Sequence, residues 1–102
     1  GDLVWFDFAP ARGHEQKGVR PALVVSRQEY NMKSGLMLVC PVTSAIKGYP
    51  FEVLVSVKDI HGAVLVDQMR SIDWKARGVT FAGSANMEEI EEILAKIFAL
   101  VQ

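Results

Sequence analysis

ALVVSRQEYNMKSGLMLVCPV, residues 22–42, decides the fold class. Two apolar runs of strand length, ALVVS (22–26) and GLMLVCPV (35–42), flank the polar stretch RQEYNMKS. A connection this short leaves no room for the crossover that parallel strands require, so the two runs are expected to pair antiparallel. The same reading extends outward. DLVWFDF (2–8), FEVLV (51–55) after KGYP, and GAVLVDQMRSIDW (62–74) after the turn-like KDIHG are further strand candidates, giving four or five in all. Only the C-terminal stretch changes period. In NMEEIEEILAKIFALVQ (86–102), Ile90, Ile93, Leu94, Ile97 and Val101 fall at helical spacing, with Glu88, Glu89, Glu91, Glu92 and Lys96 mostly on the other face. Asn86 and Glu89 have the spacing of an N-cap and its reach-back partner. Acidic residues in a first helical turn complement the helix dipole, so the glutamate run is a helix signal rather than a metal site. The expected architecture is a small, mainly β, strongly bent antiparallel barrel with one amphipathic helix packed at its end.

Composition narrows the class. At 102 residues and 50% hydrophobic, the chain is expected to form a single domain over residues 1–102. It has no apolar run of membrane-spanning length and no leader pattern, so a cytoplasmic protein is expected. Its one cysteine, Cys40, lies within LMLVCPV and should pack as a small hydrophobe. The net charge of -1 conceals an uneven distribution: residues 1–8 carry -2, residues 9–50 carry +4 and residues 51–102 carry -3. A polyanionic partner would therefore meet the surface built by the first half of the chain.

The polar residues concentrate in GHEQKGVRP (13–21), which packs His14, Glu15, Gln16, Lys17 and Arg20 between two glycines and a proline. An ordinary turn needs none of that chemistry. The two histidines, His14 and His61, stand far apart and no Cys/His set is closely spaced, so no metal or other cofactor is expected. No serine sits in a G-x-S-x-G elbow. What remains is acid/base work by a carboxylate beside an arginine. Cleavage of RNA by its own 2′-hydroxyl needs a base, an acid and fixed donors around the phosphorane. Glu15 suits the base or acid, and Arg20 offers a planar fork for two phosphate oxygens. Thr43 and Ser44 would add hydroxyl donors if strand order brings them beside the loop. The spacing also suits a plain surface ion pair between Glu15 and Arg20. Gln16, Lys17 and Lys47 are candidate RNA contacts or plain solvated loop side chains, and Asp67, Gln68 and Arg70, which interrupt an apolar run, are further candidate RNA contacts. Trp5 and Trp74 are expected in the core or a dimer contact rather than stacked on bases. Pro21 is expected to end the loop ahead of its strand.

GDLVWFDF, GHEQKGVRPALVVS, CPVTS followed by KGYPFEV, and VDQMRSIDWKARG together resemble the MazF/PemK family of toxin endoribonucleases over essentially the whole chain, with the MazF branch the nearer. The resemblance implies a dimeric SH3-like barrel of the CcdB-like class that cleaves single-stranded RNA, mostly mRNA, at short motifs without metal. It also implies neutralisation by a cognate MazE-like antitoxin, for which an acidic disordered tail would match the basic segment. Arg20, Thr43 and, in some members, Glu15 correspond to catalytic positions, and Asp67 and Gln68 to base recognition. Two departures stand out: His14 replaces a small residue of many relatives, and Val19 replaces a histidine of close ones. His14 is expected either to contact RNA or to share proton transfer with Glu15. Two other readings stay open at this stage, a gyrase-poisoning toxin of the same barrel class and a plain nucleic-acid-binding barrel.

Overall fold

The computed structural model describes residues 1–8 and 18–102; His14, Glu15, Gln16 and Lys17 lie outside the described residues. Among those described are seven strands: β1 (Asp2–Asp7), β2 (Val19–Val24), β3 (Met37–Thr43), β4 (Glu52–Val57), β5 (Ile60–Leu65), β6 (Arg70–Ile72) and β7 (Thr80–Ser84). Every pairing is antiparallel. The order is β4-β5-β3-β2-β1-β7, with β6 beside β3 on the side that β5 occupies further along. The expected mainly β, curled antiparallel architecture is what the chain adopts.

Several boundaries differ from the sequence reading, each for a physical reason. RQEYNMKS is not a plain separator, because it contains helix α1 (Gln28–Ser34). This helix buries only Asn31, so it carries no apolar stripe to betray it. Asn31 is held instead by polar contacts: Ser26 donates its hydroxyl to the Asn31 side-chain oxygen at 2.5 Å, and the Trp74 indole N–H donates to the Asn31 carbonyl at 3.0 Å. Gly35, in the left-handed region at φ 75°, ends the helix.

The run 62–74 is not one strand either. β5 already starts at Ile60, a 3₁₀ turn takes Val66–Gln68, β6 follows, and helix α2 (Trp74–Arg77) begins at Trp74. Asp73 caps α2 by accepting from the Ala76 N–H at 3.0 Å. Val66 is fully buried and donates its N–H to the Phe51 carbonyl, which draws the chain off the strand path. Pro21, expected ahead of the strand, lies within β2.

Helix α3 (Met87–Val101) opens with the expected reciprocal cap: the Glu89 N–H donates to Asn86 Oδ1 at 2.8 Å, and the Asn86 N–H donates to Glu89 Oε1 at 2.9 Å. Ile93 is fully buried in the core formed by Leu3, Leu23, Cys40, Val53 and Val64, and Ile90 and Ile97 pack at its margin. The expected stripe is narrower in fact. Leu94 and Val101 are 47% and 70% exposed, as is the neighbouring Phe98 at 63%. A second core on the opposite sheet face gathers Val4, Phe6, Phe8, Ala22, Val24, Met37, Val39 and Ile72, with Trp74 against it.

Candidate active site

Two prolines open the site. The β2–β3 ladder runs Val24↔Val39, Leu23↔Cys40 and Ala22↔Pro41, and there it stops. Neither Pro21 nor Pro41 has an N–H to offer, so both mark the natural end of the pairing. Beyond this point β3 turns to β5 through Val42↔Val64 and Thr43↔Ala63. The sheet therefore splits, and Val19, Arg20 and Pro21 face Val42, Thr43 and Ser44 across a cleft of about 320 Å³. Continuing the interrupted register by two residues would set Arg20 opposite Thr43, on the same sheet face. The sequence-level condition that Thr43 and Ser44 stand beside the end of the motif loop is thus met.

Thr43 is buried, and its Oγ1 accepts from the Ala45 N–H at 3.1 Å. That bond uses an oxygen lone pair and leaves the hydroxyl able to donate. Ser44 is exposed at the rim. Arg20 lies opposite Phe6 in the β1–β2 pairing and is half-buried. Trp5 lines the same cleft at 41% exposure rather than entering the core, whereas Trp74 packs on the second core as expected.

The remaining candidates are dispersed. Asp67 and Gln68 sit in the 3₁₀ turn and Arg70 in β6, and none of them lines the cleft. The Arg70 guanidinium lies 5.7 Å from the Phe8 ring centroid, and the Phe8 N–H donates to the Gly18 carbonyl at 3.0 Å. Arg70 therefore stands at the foot of the motif loop. Lys47 is exposed outside the cleft, its segment anchored by Glu52, whose carboxylate accepts from the N–H groups of Lys47 and Gly48. Asp67 contributes to a different effect: burial, aided by its negative charge, pushes the Cys40 thiol up to about 12. Cys40 is a packing residue, not a nucleophile.

Two residues were missed at the sequence level. Arg77 stacks over Phe6 at 4.7 Å and donates to the Asp7 carbonyl at 2.9 Å, adding positive charge from the acidic half of the chain to the face that carries Arg20 and Arg70. His61 lines the cleft from β5 with Asp59. No local pattern signals either, because each reaches its place only through strand order. A larger cavity of about 500 Å³, between α3, α1 and the first two strands, brings none of the candidate residues together.

Residues 1–101 match the family described as PemK-like, MazF-like toxin of type II toxin-antitoxin system. This chain belongs to that family. It is 50% identical over 101 residues to the endoribonuclease toxin MazF of Escherichia coli strain K12, covering 99% of this chain and 91% of that protein. Among solved structures, MazF (Form-I) from Deinococcus radiodurans superposes with a TM-score of 0.92 at 46% identity, covering 99% of this chain and 93% of that one. The MazE–MazF complex (Form-II) from the same organism gives a TM-score of 0.84 at 41% identity, covering 99% and 91%. The PemK/MazF barrel is thus shared along nearly the full length, cleft-forming strands included.

Proposed function

We propose that the cleft between β2 and β3 is the active site of this chain, an endoribonuclease toxin of the MazF type belonging to a type II toxin–antitoxin pair. The observation that carries the reading is the meeting of Arg20 and Thr43 across the split sheet. Two charge-stabilising donors converge where a phosphate fits, and the motif segment carrying Glu15 ends at the same wall. Single-stranded RNA, mRNA above all, enters at a short sequence motif. The 2′-hydroxyl gives its proton to Glu15 and attacks the adjacent phosphorus. Arg20 and Thr43 hold the non-bridging oxygens as charge builds, and the 5′ oxygen departs with the P–O5′ electron pair, taking a proton from a general acid. The products are a 2′,3′-cyclic phosphate and a 5′-hydroxyl, and no step requires a metal ion. Translation then fails and growth stops.

Incubating the purified protein with a long RNA in excess EDTA tests this. Arg20→Ala should lower kcat roughly 10²-fold or more. Arg20→Lys should recover little, because a point charge cannot grip two oxygens. Thr43→Val, which keeps the side-chain shape, should also cut kcat while leaving the unfolding midpoint close to that of the parent. Wild-type rates in all three variants would rule out this cleft.

The partner is a MazE-type antitoxin, a reading supported by the complex of the 41% identical relative. Its acidic disordered tail would lie along the basic surface that RNA uses, covering the cleft. Saturating tail peptide should displace RNA at low salt; undisturbed RNA affinity would exclude overlap. A homodimer in the cytoplasm is the acting form. The exposed Leu94, Phe98 and Val101 of α3 support a second copy there. Sedimentation at micromolar concentration should give twice the 11.3 kDa chain mass, and a monomer would exclude it.

A further inference from the structure

We propose that His61 is the general acid of the cleft, protonating the departing 5′ oxygen; this rests on the ribonuclease reading above. His61 lines the cleft from β5, across from Arg20 on β2 and next to Thr43 and Ser44 on β3. Its position is set by an ordinary hairpin. β4 and β5 are joined by the two-residue turn Lys58–Asp59, with Lys58 at φ 53°, and His61 pairs directly with Ser56. Ser56 Oγ lies 2.7 Å from His61 Nδ1. That contact orients the ring and occupies Nδ1, so Nε2 is the nitrogen left for a ligand. Ser56 is itself fixed: its backbone N–H donates to Glu89 Oε2 of α3 at 2.9 Å.

Chemistry assigns the role. The described residues lining the cleft offer a guanidinium (Arg20), a carboxyl (Asp59), two hydroxyls (Thr43, Ser44) and an imidazole (His61); guanidinium and hydroxyl groups are in general too weak as acids for this step, and a carboxyl in water is ordinarily ionised near neutrality. An imidazolium is the one group there that can surrender a proton to an alkoxide near pH 7 and regain it. With Nδ1–H donating to Ser56 Oγ, the Nε2–H of the imidazolium passes to the 5′ oxygen as the P–O5′ bond breaks and its electron pair leaves with oxygen. Glu15 then releases the 2′ proton to solvent as the neutral ring regains one from it, so the two groups are reset with no net change in protons. Glu15, which accepts the 2′ proton, and His61 thereby divide the two transfers. The charged groups around the ring are Arg20 from β2, Asp59 from its own turn, and Glu89 from α3 through Ser56, while Lys58 Nζ is drawn over the Phe81 ring at 5.9 Å.

The test compares two substrates of one sequence, one ordinary and one with sulfur in place of the bridging 5′ oxygen, whose thiolate leaves without protonation. His61→Gln and His61→Ala should each lose roughly 10²-fold in kcat on the oxygen substrate and flatten the high-pH limb of its rate profile. Both should cleave the sulfur substrate at the wild-type rate. Ser56→Ala should give a smaller loss of the same pattern. Equal losses on both substrates would mean a structural role, and no loss on either would assign the proton to another residue, His14 foremost; each result overturns the proposal. The ribonuclease reading fails separately, if wild-type protein cleaves neither substrate.

Discussion

Gly62 stands against the Thr43 backbone so closely that a Cβ added to it would meet the Thr43 carbonyl carbon at 3.1 Å and the oxygen closer still. Its φ is ordinary, so the requirement is for space, not for an unusual backbone angle. The close approach is what lets β5 seal against the end of β3 after the prolines have released β2. Gly62→Ala should force the two strands apart at the cleft. A loss of about 1–3 kcal/mol is expected from the overpacking. Cleavage should fall by more than the change in folded fraction explains, because Thr43 moves with the strand. Denaturant unfolding and kcat measured on the same preparation check this, and unchanged stability would show that the strands give way freely.

The α3 cap does double duty. Glu89 accepts from the Asn86 N–H through one oxygen and from the Ser56 N–H, on the outer strand β4, through the other. Asn86→Ala should cost about 1 kcal/mol, the usual value of a lost N-cap. Glu89→Ala should cost more, since it strips a partner from both elements. A double-mutant cycle should show coupling, and strictly additive losses would mean that the reciprocal bonds contribute nothing jointly.

This cap was legible in the sequence because helix signals are local: Asn86, Glu89 and the apolar spacing all lie within a few turns. The strands were legible as apolar runs but not in their limits. β2 begins at Val19, through a proline that would ordinarily argue against a strand, and the sheet tolerates Pro21 only because its β3 neighbour departs there. Helix α1 escaped notice because a polar segment around one buried asparagine has no period to read. Its boundary signal, Gly35, was nevertheless present. At the site, the placing of Arg20 and Thr43 on one cleft was foreseeable only as a condition on strand order, and His61 was hidden because β5 and β2 meet through the fold, not through the chain. Leu94 shares the apolar spacing of α3 yet stays exposed, since helical spacing identifies an apolar face but not what covers it.

Cys40 supplies a prediction about pH. Burial raises its thiol from the ordinary 9.0 to about 12, so the folded state holds the proton more tightly than the unfolded chain does. The associated stability is therefore complete below pH 9 and is lost as pH rises from 9 towards 12. Native protein should resist iodoacetamide at pH 8 and react promptly in denaturant. Rapid labelling of the native state at a rate independent of denaturant would contradict the buried placement.

The most direct measurement of the central claim uses an RNA carrying one deoxyribose on the 5′ side of the scissile phosphate, assayed in EDTA beside its all-ribose counterpart. Attack by the 2′-hydroxyl in the Arg20–Thr43 cleft predicts that the all-ribose strand is cut to a 2′,3′-cyclic phosphate and a 5′-hydroxyl, while the substituted strand binds with similar affinity and survives intact. Cleavage of the substituted strand at an undiminished rate, or products bearing 5′-phosphate, would contradict it.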